Sequence, residues 1–481
     1  MNAAPGGGRM HGPARPLGSV GCIHRIVGEV ATFLPKRITT MGNKIFFWSL
    51  TVALAGFLFG FDTIVISGAE GTLDARWSAY TLFGEHALFH GIVVVSSALW
   101  GTVVGALFGG IPTDRLGRKQ TLFWIGVLYT VSALGSALVS DPYLFAAFRF
   151  VGGLGVGAST IAAPAYIAEI APASDRGRLT ALYQFNIVFG ILVAFASNYL
   201  LSGIETDNWR YMIGVESIPA VLYTLLVLTV PRSPRWLIAK RDDRTEAARI
   251  LRLLNPDRDV QPLVDEIVAD HARAPRNERV FNGKFSRPLL LAFLIAFFNQ
   301  FSGINALLYY APRVFEAAGL EGQAAFLGSV GIGVANLIFT LLGVLLIDRL
   351  GRRQLMFIGS VGYIVSLSAV AYAFATGMTG LFIPVMLFVF IGAHAIGQGT
   401  VIWVFISEIF PNHVRAAGTS FGTSTHWVLA AAIPAAIPFL FDTIGAATVF
   451  GLFAFMMVLQ LVWVWQMMPE TKGVPLEALD L

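Results

Sequence analysis

Two ionisable residues stand inside stretches that are otherwise apolar: Asp62 in FGFDTIVISG and Arg149 in RFVGGLGVG. A charge left alone at the centre of a bilayer costs about 2.5–3.5 kcal/mol on insertion scales, and pairing relieves both partners. The two are chemically unequal. A guanidinium keeps its proton, whereas a carboxylate can take one up and release it. A static pair would only fix two helices. A pair whose members move relative to one another can load and unload a proton, and Glu216, in the sixth apolar stretch, is a second carboxylate able to assist. A second chemistry lies in NQFSGIN, where Asn299, Gln300 and Asn305 fall within seven residues. Side-chain amides both donate and accept hydrogen bonds, and cost less to bury than charges. One amide can simply bridge neighbouring helices, for about 0.6–2 kcal/mol; a cluster points to binding.

The remaining charges recur in pairs of motifs. GGIPTDRLGRK (109–119) is matched by GVLLIDRLGRR (343–353), and AEIAPASDRG (168–177) by SEIFPNHVRA (407–416). Glu169 precedes Arg176, and Glu408 precedes Arg415, by the same seven residues. Each copy lies about half the chain from its partner, so the sequence is an internal duplication.

These residues need a scaffold, and composition says which. Of 481 residues 56% are hydrophobic and 13% charged, about half the charge of a soluble protein. A bilayer core takes about 20 mostly apolar residues per helix. That ruler marks twelve spans, near 45–67, 88–112, 121–139, 144–168, 181–201, 211–230, 288–311, 325–347, 355–375, 381–408, 416–440 and 444–468. The alternating pattern of an outer-membrane barrel is absent. The reading is an all-α membrane protein of twelve transmembrane helices in two pseudo-symmetric six-helix bundles.

An even number of crossings puts both chain ends on one side. Of 33 Lys and Arg, the loops and ends on that side hold 29; the opposite side has Arg76, Arg210 and Arg313, and Arg149 lies within a span. The positive-inside rule makes the basic side cytoplasmic, in a cell membrane. The net charge of +4 is therefore a topological signal, and no nucleic-acid partner is expected. Residues 1–40, rich in Gly, Pro and Arg, read as a disordered tail or the product of an upstream start, with Met41 just before the first span. Residues 41–230 form the first bundle, 231–287 a cytoplasmic linker with helical stretches near 243–254 and 261–271, 288–468 the second bundle, and 469–481 a cytoplasmic tail. GGLGVGA (152–158) formally fits a dinucleotide fingerprint. It has no preceding strand, and glycines four apart, such as Gly153 and Gly157, suit close helix packing. No histidine–carboxylate set at metal-ligand spacing and no phosphate loop stands out, so neither metal nor cofactor is expected.

Over residues 45–478 the chain resembles the sugar porter family of the major facilitator superfamily. The resemblance rests on both DRxGR copies, RFVGGLGVG, PRSPRWL (231–237), NQFSGINALLYYAP (299–312), SEIFP (407–411) and PETKGVPLE (469–477). It implies the major facilitator fold and a carrier working by alternating access, not an enzyme. It implies a monosaccharide contacted by Gln184, Asn299, Gln300, Asn305, Asn336 and Trp403, with Tyr309 as a closing residue. His426 stands where the family has a sugar-contacting glutamine; His394 reads as a helix contact. Other departures are Asn299 for a common glutamine, Thr400 in Gly-Pro-x-x-Trp, and Arg232 for the Glu of PESPR. The resemblance also implies an inner latch linking the two halves, built from Asp114, Arg115, Arg118, Glu169, Arg176, Asp348, Arg349, Arg352, Glu408 and Arg415. Family members that couple sugar to protons carry the aspartate at Asp62, where facilitative carriers have a neutral amide. Proton-coupled uptake by a monomer is expected. A facilitative uniporter is the alternative; a transporter-like sensor would carry a longer tail than the thirteen residues after the last span.

Overall fold

The computed structural model describes residues 43–473, apart from 173–174, 255–258, 274–279, 282, 321 and 412–413. Residues 1–40 and most of the 469–481 tail lie outside the described residues. Among the described residues there are twelve helical spans, two of them joined in one long helix. The first half contains α1 (Asn43–Arg76), α2 (His86–Phe108 in three segments), α3 (Arg118–Leu138), α4 (Pro142–Ile170), α5 (Arg176–Leu201) and α6 (Asn208–Gly214 with Ser217–Thr229). Two linker helices follow, α7 (Arg244–Leu254) and α8 (Gln261–Arg273). The second half contains α9 (Ser286–Phe301 with Ile304–Tyr309), α10 (Gln323–Leu350), α11 (Arg352–Ala375) and α12 (Phe382–Ile396 with Gln398–Glu408). Its last two spans share Arg415–Gln466, which Gly445 (φ 77°) breaks into α13 (415–444) and α14 (446–466).

The duplication is visible in the packing. In the first half α1 lies on α5, α2 on α4, and α3 on α4 and α6. In the second half α9 lies on the long helix after Arg415, α10 on α12, and α11 on α12 and on that same long helix. The halves meet along two seams, α5 with α10, and α2 with the long helix. Local sequence explains the ends. Asp141 caps α4 by accepting from the backbone N–H of Tyr143 (3.0 Å) and Leu144 (2.9 Å), with Pro142 in the first turn, a strong start signal.

Two elements depart from the periodicity. The apolar run predicts that the first span stops near residue 67, yet α1 continues to Arg76. The extra turns carry Glu70 and Asp74, which find ionic partners on other elements, so their charge no longer opposes a helix there. In α2, His90–Val95 is π-helical, and the segments on either side of Ser96 are bent by 46°. One extra residue per turn of this kind commonly marks a functional position.

The glycine run in α4 serves packing. A Cβ on Gly153 would overlap the carbonyl oxygen of Ala98, and one on Gly157 the carbonyl oxygen of Thr102, both on α2. Gly153→Leu is expected to cost about 1–3 kcal/mol or more through overpacking. The check is size-exclusion chromatography after a heat step: the monodisperse peak should vanish well below the parent's transition temperature.

Candidate functional site

The backbone of the central site is discontinuous helix. Gly303 adopts a left-handed conformation (φ 82°), ending one segment of α9 at Phe301 and starting another at Ile304. The break lets side chains five apart meet: Asn305 Nδ2 donates to Gln300 Oε1 at 2.8 Å. Gln300 Nε2 donates to Asn299 Oδ1 (2.9 Å) and lies 3.2 Å from His426 Nδ1 on α13. Trp403, on α12 beyond the break at Gly397, meets the His426 ring edge to face at 4.8 Å. Thus Asn299, Gln300, Asn305, His426 and Trp403 form one contiguous patch. Its amides and imidazole are matched among themselves and can be re-matched to hydroxyl groups, while the indole offers an apolar face.

Other site candidates sit on separate elements. Asn336 is buried on α10, where the Thr340 hydroxyl approaches its Oδ1 at 3.5 Å. Gln184 is half-buried on α5, the helix that packs against α10 at a seam between halves. No hydrogen bond joins either of them to the Gln300 patch among the described residues. The Tyr309 hydroxyl is buried without a hydrogen-bond partner, on a segment of α9 that packs against α1.

The charged pair lies in the first half. Arg149 Nη1 donates to Asp62 Oδ1 at 2.5 Å and Nη2 donates to the Asp62 carbonyl oxygen at 2.8 Å, joining α4 to α1. Glu216 stands at the break of α6, beside them. All three residues are 0% exposed. Asp62 Oδ2, Arg149 Nε and both Glu216 oxygens have no hydrogen-bond partner. The set holds two carboxylates against one guanidinium, one carboxylate more than the buried cation can neutralise.

The repeated charge motifs build two matching clusters. Arg118 Nε donates to Glu169 (2.9 Å) and Nη1 to Asp114 (3.3 Å). Arg352 donates to Glu408 through Nε (3.0 Å) and Nη2 (2.9 Å), and to Asp348 (3.3 Å). The preceding glycines, Gly117 and Gly351, have φ near 90°, a turn that other residues resist. Every one of these pairs lies within its own half. Arg415 donates to the Phe410 carbonyl oxygen at 3.3 Å, Arg115 is exposed, Arg349 has a partner of its own, and the Arg176 side chain lies outside the described residues. Each cluster is buttressed by the segment that follows the sixth span of its half. Trp236 Nε1 donates to the Asp114 carbonyl oxygen at 2.8 Å. Glu470 accepts from the backbone N–H of Arg352 (2.9 Å) and Arg353 (3.0 Å), capping α11.

On the opposite face the halves are joined. Arg313, on a short helix (Ala311–Ala317), reaches Glu70 Oε1 at 2.9 Å and Asp74 Oδ2 at 3.3 Å on α1. Deeper, Phe59 of α1 packs on Trp427 of α13, centroids 5.5 Å apart. The motif-led reading missed a further buried chain in the second half. The Tyr363 hydroxyl contacts His394 Nδ1 (2.5 Å) and Gln398 Oε1 (3.0 Å), Gln398 donates to Gln460, and Gln460 to Ser360 (2.8 Å). Glutamines inside apolar runs were the available signal.

Comparison with known proteins agrees with this architecture. The family model "Sugar (and other) transporter" matches residues 48–481. The D-xylose-proton symporter of Escherichia coli is 34% identical over 478 residues, covering 92% of this chain and 97% of that protein. The arabinose-proton symporter of Bacillus subtilis is 34% identical, covering 90% and 93%. The partially occluded, inward open structure of the E. coli xylose transporter superposes with TM-score 0.80 at 33% identity, covering 90% of this chain and all of that one. The same transporter bound to 6-bromo-6-deoxy-D-glucose gives 0.73. The fold is the major facilitator fold of a multi-pass membrane protein. With a family model spanning nearly the whole described chain and relatives aligned from end to end, this protein belongs to the sugar transporter family.

Proposed function

We propose that this protein carries a monosaccharide together with a proton across the cell membrane by alternating access, as a monomer with its DRLGR loops and both ends in the cytoplasm. The observation that carries the reading is the fully buried Asp62–Arg149–Glu216 set. Two carboxylates share one fixed cation, so a proton belongs to the resting site and can leave only when the carboxylates gain another partner or water. Amides at Gln300 and its neighbours supply the sugar site; Gln184, Asn336 and Tyr309, on surrounding helices, complete its wall. The names of the xylose and arabinose relatives favour the same reading, and the basic loops favour the orientation.

The state described is open on the DRLGR face. Ion pairs there close within each half, the halves are joined on the opposite face, and the likeness is greater to the inward open xylose transporter than to its sugar-bound form. In the outward-facing state the two motif clusters meet and form the inner latch. Arg118→Ala is then expected to reduce uptake severalfold while sugar affinity in detergent stays within about twofold, because it shifts a balance of states and touches no ligand. Equal loss of binding would refute the latch.

The decisive experiment for the function is counterflow in proteoliposomes against a panel of labelled pentoses, hexoses and cyclic polyols. Accumulation of at least one, enhanced by an inward proton gradient, is the expected result. Accumulation by exchange with no response to pH and no proton movement would establish a uniporter. No accumulation of any would overturn sugar transport.

A further inference from the structure

Glu70 and Asp74 are one turn apart on α1, and His86 and His90 one turn apart on α2, so two helices of the first half present two carboxylates and two imidazoles to one another. His90 is fully buried. Its Nε2 lies 3.1 Å from Glu70 Oε1, and its Nδ1 points at Asp74 Oδ1 from 3.6 Å, without a hydrogen-bond partner. His86 Nε2 contacts Asp74 Oδ1 at 2.8 Å, and its Nδ1 the Tyr80 carbonyl oxygen at 2.8 Å. Donor atoms of Glu70, Asp74 and His90 all fall within 4.8 Å of one another. Each pair is spaced by four residues in the sequence, Glu70 and Asp74 just beyond the expected end of the first span and His86 and His90 about the expected start of the second.

A single group from the other half completes this cluster. Arg313 Nη1 bridges the same two carboxylates, at 2.9 and 3.3 Å, beside a cleft of about 480 Å³ that Glu316 and Asn208 also line. That guanidinium is tethered to the second half. When the halves part on this face it must leave, and Glu70 and Asp74 then lose their cation while both histidines stay with them.

We propose that Glu70, Asp74 and His90 bind a zinc ion once the halves part on this face, and that Arg313 takes the place of that ion while they are together. One imidazole nitrogen and two carboxylate oxygens form a donor set that suits zinc, and His86 or water supplies the fourth position. Calcium and magnesium favour sites built of oxygen alone. Zinc bonds of about 2.0–2.2 Å place tetrahedral donors roughly 3.4 Å apart, so modest side-chain rotation closes the present arrangement. Zinc displaces the imidazole protons, so its binding tightens as pH rises. A bound ion excludes Arg313 and holds the carrier open on this face, a state dependence that rests on the alternating-access reading. Binding to the Arg313→Gln variant, where no cation competes, does not.

The test is calorimetric titration of the full chain in detergent with zinc chloride at pH 7.5, without sugar or proton gradient. One saturable site is expected. His90→Gln and Asp74→Asn should each weaken it roughly tenfold or more, with size-exclusion profiles unchanged. Arg313→Gln should tighten it by at least as much, because the competing cation is gone. No saturable binding in either the parent or Arg313→Gln overturns the proposal, as does equal affinity in His90→Gln and Asp74→Asn. A lost transport activity with zinc binding intact would count against the carrier reading alone.

Discussion

Asp62→Asn should exchange labelled sugar across a membrane at a rate near the parent's and yet fail to concentrate it. The substitution keeps the volume and an acceptor oxygen for Arg149 Nη1, now 2.5 Å from Asp62 Oδ1, but removes a group that can take up a proton. Downhill movement needs only the rocking of two halves around bound sugar. Uphill movement needs each crossing to carry a proton, and one proton per sugar supports at most about tenfold accumulation per unit of pH gradient. The parent should approach that ratio and the variant should stay at unity, measured in proteoliposomes with an imposed pH step. A variant that still accumulates sugar under that step would assign coupling elsewhere, with Glu216 the first alternative. Glu216 shares the buried set, so Glu216→Gln should weaken accumulation less than Asp62→Asn does.

Gln300→Ala should lose sugar affinity by roughly 10–100-fold. Gln300 is the hub of the patch: Asn299, Asn305 and His426 all contact its amide. Removing it deletes two or three hydrogen bonds to ligand or neighbours, each worth about 0.5–1.5 kcal/mol net, and leaves partners unpaired. Binding by tryptophan fluorescence is a direct measure, since Trp403 lies against His426, the ring next to Gln300. An unchanged affinity would move the sugar site away from α9.

The span count, the duplication and the two motif clusters were all legible in the sequence, because a bilayer imposes one long apolar period and few exceptions to it. The places where helices break were harder to read. Gly303 joins Asn305 to Gln300 by taking a left-handed conformation, and Glu216 sits at an interruption of α6 between Gly214 and Pro219, whose ring cannot donate to the carbonyl of Val215. The partners of each ionisable residue also depend on which helices meet. DRLGR and AEIAP gave Arg118 and Glu169 as members of one set, but that the two pair with each other within a half is set by which helices meet. His90 was hidden by the π-helical turn, which shifts side-chain directions from the ordinary period of 3.6.

The capping of α11 by Glu470 also sets an order of assembly. Each DRLGR cluster is braced by a residue roughly 120 positions downstream: Trp236 lies 122 residues beyond Asp114, and Glu470 lies 118 beyond Arg352. A ribosome adding about 5–20 residues per second needs roughly 10–50 s to travel from the first brace to the second. The first bundle therefore receives its last strut before any span of the second has been made. The second bundle waits for residue 470, so a chain cut short before it releases one finished bundle and one whose third helix, α11, begins uncapped.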